Sequence, residues 1–359
     1  MNHRDGFKIK HPKPVCIGTG LVALDVIING NSKASPRFFA GGSCGNVLTI
    51  LSYLGWKSYP IANLADDVPA REVLRDMERW KVNTDLISRN GSGSTPIIVE
   101  RLGTNQKGIP WHRFEWICPN CGSWLPKHKP VPAQSVAQIA KKMPKANVFY
   151  FDRVSQSSVD LAKVSKRRRA LIVFEPSRIS NEEVFFKCLQ VSDIVKYSYE
   201  KLADAQQLTQ KICVPLEIQT LGEEGLRFRV GGNRNRKWNG MPSFSVEKLT
   251  DAAGAGDWCS AGIIHFLGNA TRKNIMETEP KLIERALSFG QALASLNCYY
   301  EGARGSMYKI PRRKFETLIS DIWNGTTRLY VTEAKESHRA LQIVRNICPF
   351  CIKKNKSKN

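Results

Sequence analysis

Between Val148 and Thr220 four short apolar runs alternate with segments of helical spacing. The runs are Val148–Phe151, Leu171–Phe174, Ile194–Lys196 and Leu216–Thr220; the segments between them are Val159–Lys166, Asn181–Gln190 and Tyr199–Gln210. Short runs with little polar alternation suit strands covered on both faces. Strands joined by single helices lie parallel, because each crossover returns the chain to the same end of the sheet. The predicted fold class is therefore α/β, with three α/β/α layers around a mainly parallel central sheet.

The flanking segments extend this pattern. Val15–Gly20 reads as a buried strand that continues through Leu21–Ile28, with Asp25 as its only charge. A carboxylate inside an apolar run is costly unless paired, so Asp25 either has a polar partner or meets a ligand. Helices are expected over Val47–Leu54, Val68–Trp80, Trp258–Leu267 and Lys281–Leu296, a strand over Pro96–Leu102, and a hairpin-like segment over Leu226–Trp238. Gly103–Pro132, which carries Trp111, Trp116 and Trp124, is a long connection of the kind used for lids. From about Thr326 a separate extension begins, with a helix expected over Glu333–Ile347 and a disordered basic tail over Lys353–Asn359.

Composition narrows the function classes. With 42% hydrophobic and 24% charged residues over 359 positions, the chain has the make-up of a soluble globular protein. No apolar run approaches the roughly 20 residues that span a bilayer, and Met1–Pro14 has no apolar core of the kind a signal peptide needs. Cys16, Cys44, Cys188, Cys213, Cys259 and Cys298 stand singly in apolar or Gly-rich surroundings, which favours a reducing, cytoplasmic setting. The net charge of +22 attracts anionic small molecules and nucleic acid alike. The charge is scattered and no nucleic-acid module is present, so any such binding is expected to be weak, non-specific and salt-sensitive.

The most informative stretch for chemistry is Asp251-Ala252-Ala253-Gly254-Ala255-Gly256-Asp257. Small residues at the start of a helix let backbone N–H groups approach an anion closely. A carboxylate on the first turn beside that anion can accept a hydroxyl proton; its bland reading is a helix-stabilising acid. Gly254-Ala255-Gly256-Asp257 resembles the C-terminal signature of ribokinase-like carbohydrate kinases, and Ala40-Gly41-Gly42-Ser43-Cys44-Gly45-Asn46 is similar to that family's N-terminal signature. The resemblance runs from about Val15 to Met307. It implies a ribokinase-like fold with a small β lid, built from about residues 30–39 and 92–130, and an ATP-dependent, magnesium-requiring kinase acting on a hydroxyl of a small sugar, polyol or nucleoside.

By the same resemblance, Asp257 is the catalytic base and Gly254, Ala255 and Gly256 form the anion hole, while Asp25, Gly41, Gly42 and Asn46 bind substrate hydroxyls. Thr220 and Gly222 line the ATP side, and Asn297 falls where the family lines its adenine pocket, unless it lies on the solvent face of its helix. The family's metal-organising Asn and Glu are replaced by Ser198 and Lys201, leaving Glu200 as a displaced acid for magnesium. Arg153 is a candidate contact for an acidic or phosphorylated substrate, with an ordinary surface arginine as the alternative.

Two further motifs lie outside this scheme. Cys118-Pro119-Asn120-Cys121 and Cys348-Pro349-Phe350-Cys351 repeat one pattern, and two such turns make a tetrahedral zinc site. The expected layout is one kinase domain over residues 1–325 and an extension over 326–359 clamped to the lid loop by these four cysteines. A local site using His112 and His128 with the first pair, and unligated thiols, are the alternatives. Partners expected are a sugar-like substrate and ATP, with no membrane and a homodimer left open. Two rivals follow from the departures: a catalytically weak ligand sensor on the same fold, and a basic, zinc-containing nucleic-acid-associated protein.

Overall fold

The structure, a computed structural model, describes residues 12–29, 36–105, 110–202, 209, 211–231, 237–268, 275–276, 280–325 and 347–356. The expected helix over Glu333–Ile347 lies outside the described residues but for Ile347, as do residues 30–35 of the expected lid.

Strands β1 (Val15–Thr19), β4 (Lys57–Leu64), β5 (Ile87–Arg89), β8 (Val148–Phe151), β9 (Leu171–Phe174), β10 (Ile194–Ser198), β11 (Leu216–Thr220), β12 (Leu226–Val230) and β13 (Asn239–Met241) form one sheet. Their order is β13-β12-β11-β10-β9-β8-β1-β4-β5. Pairing is parallel from β11 through β5, and antiparallel only where β12 and β13 close one edge. Successive residues of a strand point to opposite faces, and both faces are buried. Cys16 and Ile17 of β1 enter different cores, and Val148 and Tyr150 of β8 part from Phe149 and Phe151 in the same way.

Helices α1 (Ser43–Tyr53), α2 (Val68–Arg79), α6 (Ala255–Leu267), α7 (Pro280–Asn297), α8 (Gly305–Lys309) and α9 (Arg312–Trp323) cover one face; α3 (Val136–Lys142), α4 (Gln156–Arg167) and α5 (Glu182–Val191) cover the other. Local chemistry sets several starts: Asp67, Ser155 and Asn181 cap α2, α4 and α5 by accepting the N–H groups of Ala70, Ser158 and Val184. No helix among the described residues is long and apolar enough to cross a membrane.

A second sheet of four described strands, in the order β3-β2-β6-β7, is built from β2 (Ala23–Asn29), β3 (Arg37–Gly41), β6 (Ile97–Thr104) and β7 (Pro110–Glu115). Four sequence expectations change in the structure. The strand from Val15 does not run on to Ile28: the Leu21 N–H bonds the Asp152 carboxylate at 2.9 Å, and the chain leaves the central sheet for the second one. The connection from Gly103 contains β7, which pairs with β6 from Val99 to Thr104. The tail is not disordered from Lys353, because Pro349–Lys356 is helical (α10). Tyr199–Lys201 is a turn rather than the start of a helix, and most of the helix expected there lies outside the described residues.

Candidate active site

Two turns meet beyond the carboxyl ends of the parallel strands, where open α/β sheets place their ligands. The first leads from β3 into α1. A Cβ on Gly41 would fall 1.9 Å from the Asp25 carboxylate, so only glycine lets that carboxyl pack against the turn. Burial, more than any neighbour, pushes the Asp25 carboxyl up to about 7, while Arg304 and the Gly42 N–H work the other way. Asp152, buried after β8, pins the turn: its two oxygens accept the N–H groups of Leu21 at 2.9 Å and Cys44 at 3.1 Å. Arg153 lies 3.2 Å from Asp152, so it is committed to that carboxylate and is not a free surface arginine.

The second turn opens α6. Gly254 sits at φ 73° and caps the helix, and a Cβ there would lie 2.2 Å from the Ala303 carbonyl oxygen. The first turn of a helix leaves its N–H groups without intrahelical partners, and Gly256 on that turn is exposed. Asp257, the acid of the same turn, accepts a hydrogen bond from Asn46 Nδ2 at 2.8 Å. That single bond joins the two turns across the whole length of the intervening chain. Burial and the nearby Glu175 charge push the Asp257 carboxyl up to about 7, against the Asn46 bond and the Lys196 ammonium.

Lys196 and Glu175 are residues that sequence reasoning missed. Lys196 is buried in β10 and ion-pairs with Glu175, which also accepts from Tyr150 at 2.9 Å and Ser260 at 2.5 Å. Its Nζ lies 3.8 Å from the Cβ position of Gly256, which brings a cation to the turn. Burial, the largest single influence, lowers the Lys196 ammonium, but the Glu175 carboxylate together with Cys259 and Asp257 outweighs it and keeps the group above its ordinary value. The signal available was a lysine inside the otherwise apolar Ile194-Val195-Lys196-Tyr197. Of the two positions expected on the metal side, Ser198 ends the strand and Lys201 is exposed.

Asn297 occupies neither expected place. It is fully buried, and its Nδ2 is 3.3 Å from the carbonyls of Ala253, Gly302 and Ala303, while Oδ1 accepts from Ser306. The side chain holds the Gly-rich turn against the 302–306 loop, with its amide spent on backbone. Thr220 ends β11, Gly222 begins a short turn at φ 64°, and exposed Glu200 has Oε1 3.9 Å from the Cβ position of Gly222.

The family described as pfkB family carbohydrate kinase matches residues 129–310, just over half of the chain. The chain belongs to the pfkB family of carbohydrate kinases. As such it is a phosphotransferase with an alcohol group as acceptor. No curated protein matches the sequence. Among solved structures, the chain is similar to the nucleoside kinase of Methanocaldococcus jannaschii (16% identity, TM-score 0.59), covering 86% of this chain and 98% of that one. It is similar to Arabidopsis thaliana ribokinase, solved with ribose and ATP (15%, TM-score 0.59, 86% and 99% covered). It is also similar to Xylella fastidiosa fructokinase, solved with ATP (17%, TM-score 0.63, 86% and 98% covered). At these identities the likeness shows a shared ribokinase-like fold.

The four paired cysteines lie outside the residues that match the pfkB family. They nevertheless converge: Sγ of Cys118 is 3.8 Å from that of Cys351, and Sγ of Cys121 is 3.7 Å from that of Cys348. All four sulfurs lie within 4.8 Å of one another. A disulfide needs about 2.05 Å, whereas sulfurs about 2.3 Å from a shared tetrahedral ion are about 3.8 Å apart. The donor set therefore fits zinc, and Asn120 Nδ2 at 3.3 Å from Cys351 Sγ adds an N–H···S contact. The local alternative with His112 and His128 does not form, because His112 faces Asp251 at 3.3 Å.

Proposed function

We propose that this kinase transfers the terminal phosphoryl group of ATP to a hydroxyl of a small sugar or nucleoside, with Asp257 as general base. The observation that carries the reading is the Asn46–Asp257 bond beside the left-handed Gly254 turn, which gathers a proton acceptor and an anion-binding helix start in one place. Asp257 takes the proton of the acceptor hydroxyl as its oxygen attacks the terminal phosphorus, and the bond to the departing ADP oxygen breaks. Gly254 and Gly256 hold the phosphoryl oxygens with backbone N–H groups and the helix dipole, Ala255 shapes the turn with its N–H on the Ala252 carbonyl at 3.2 Å, and Lys196 adds positive charge behind them. Oδ1 of Asp25 and Oδ1 of Asn46 are buried with no partner among the described residues, and both are acceptors, so they call for a ligand rich in hydroxyl donors. Gly41 and Gly42 shape that side, and the four-stranded sheet carrying Asp25 serves as the lid over it.

Thr220 and Gly222 are assigned to the nucleotide side. Glu200, an exposed hard oxygen donor beside Gly222, suits a magnesium ion that otherwise takes waters and phosphate oxygens; bound there, the ion would neutralise phosphate charge. Glu200→Gln is expected to raise the magnesium concentration for half-maximal rate and to spare acceptor affinity. An unchanged magnesium titration removes Glu200 from the site. We assign the four cysteines to a structural zinc and the reduced thiols to a cytoplasmic setting. Mass-spectrometric detection of phosphorylated product across a panel of sugars, polyols and nucleosides tests the kinase reading. Product from any of them supports it; nucleotide binding with no product across the panel favours the sensor that Ser198 and Lys201 suggest.

A further inference from the structure

The second sheet touches the Gly-rich turn through one carboxylate. Residues opposite each other across paired strands share a face, and the registers Ile27↔Arg37, Ile27↔Glu100, Glu100↔Phe114 and Leu102↔His112 put Arg37, Glu100 and His112 on the same side. That side faces the loops that frame the turn. Arg37 ion-pairs with Glu301, and His112 Nδ1 lies 3.3 Å from Asp251 Oδ1. Glu100, almost wholly buried, bonds the same carboxylate.

Asp251 in turn holds the backbone of both loops. Its Oδ1 accepts the Ala253 N–H at 2.9 Å and its Oδ2 accepts the Gly302 N–H at 2.7 Å. Ala253 precedes the glycine that caps α6, and Gly302 precedes Ala303, against which that glycine packs. Burial first, then the charges of Asp251 and Asp25, push the Glu100 carboxyl up to about 9, so at neutral pH it keeps its proton and meets Asp251 without repulsion.

The strand that carries His112 has a single described neighbour, since β7 ends the order β3-β2-β6-β7. Its far end runs into the cysteine turn. Ile117 bridges Trp124, the Leu125 N–H bonds the Trp116 carbonyl at 2.9 Å, and the Cys118 N–H bonds the Ser123 carbonyl at 2.8 Å. Cys118 and Cys121 then meet Cys351 and Cys348 of the C-terminal segment. An edge strand is otherwise held on one side only, and the cysteine cluster gives β7 a second anchor.

We propose that His112 is a positioning residue for phosphoryl transfer: anchored through β7 by the four-cysteine centre, it seats the second sheet on Asp251 and so holds the anion-binding turn closed. The proposal rests on the reading of Gly254–Gly256 as the anion hole. A sheet that fails to seat admits water to the phosphoryl donor, so the diagnostic quantity is acceptor phosphorylated per ATP hydrolysed. A merely structural role would lower both rates together.

The test compares the full-length wild type with His112→Phe, His112→Asn and Cys348→Ser. Phenylalanine keeps a ring beside Phe114 but cannot donate; asparagine can present an N–H close to the place of Nδ1. His112→Phe is expected to lower the ratio about tenfold, the worth of one charge-assisted hydrogen bond, and His112→Asn to restore most of it. Cys348→Ser should lower it similarly, with little further loss when combined with His112→Phe, since both act through one contact. Hydrogen exchange read without substrate keeps the proposal independent of the kinase reading. Amides of Ala253, Gly302 and β7 should exchange about tenfold faster in His112→Phe and Cys348→Ser, but not in His112→Asn. Unchanged exchange at these amides, or a partition ratio unaltered in His112→Phe, overturns it. Altered exchange in these variants, with a wild type that phosphorylates nothing, leaves the latch standing and removes the kinase reading instead.

Discussion

Cys348→Ser is expected to release a full equivalent of zinc and to loosen both the C-terminal helix and the lid loop. A closed four-cysteine site is worth about 10–16 kcal/mol of apparent binding free energy at neutral pH in small zinc peptides, which makes this the largest energetic effect expected of one substitution in the chain. Serine cannot supply a thiolate, and the three remaining sulfurs cannot close the tetrahedron. Metal analysis of protein purified without added zinc should find about one equivalent in the wild type and far less in Cys348→Ser. The melting temperature should fall with it. A wild type without zinc, or a variant that keeps its metal, ends the shared site. The binding partners for this clamp come from distant parts of the sequence, Cys118 and Cys121 after β7 and Cys348 and Cys351 around α10.

Asp257→Asn is expected to lower turnover by about 10²–10⁴, the usual cost of losing a general base. Asparagine keeps the size of the side chain and can still bond Asn46, but it cannot take a proton. The turn itself is set by Gly254 at φ 73° and by its packing on Ala303, neither of which the substitution touches. Nucleotide affinity should therefore survive. The pH dependence follows from the same carboxyl. Burial holds it near 7, and the base acts only when ionised, so kcat/KM of the wild type should rise with pH through about 7. Stability runs the other way. A carboxyl raised from its ordinary value of about 4 to near 7 favours the folded state while protonated, and that contribution is lost as pH rises through 7. Asparagine has no such ionisation to suppress, so the variant should melt no lower than the wild type above pH 7. A variant that loses stability along with activity would point to a damaged turn.

The layered architecture was legible because it depends on local pattern. Val148–Phe151 and Leu171–Phe174 are apolar throughout, and both turned out buried on two faces. The two Gly-containing turns were legible for a related reason: what they need is a lack of side chain, which a sequence displays directly. β7 was hidden because Trp111, Phe114 and Trp116 remain partly exposed, so the strand has no clean apolar face to read. Asp152, Glu175 and Lys196 were hidden for a different reason. Each sits at or near the end of a different strand, and its meaning comes from a partner brought in by the fold, such as the Leu21 and Cys44 amides for Asp152. Asn297 shows the limit of reasoning by helical face. Its amide is turned into the gap between two loops, where three carbonyls converge, and neither the ligand side nor the solvent side describes that place.

The proposed function stands on proton transfer by Asp257 beside an intact phosphate-binding turn. The most direct test is single-turnover phosphoryl transfer by wild type and Asp257→Asn at saturating ATP and acceptor, with nucleotide affinity measured on the same preparations. Transfer should slow by at least about a hundredfold, with affinity within a few-fold of wild type. Transfer at the wild-type rate in Asp257→Asn would contradict it, and would leave Asp257 as an acid that merely stabilises the start of α6.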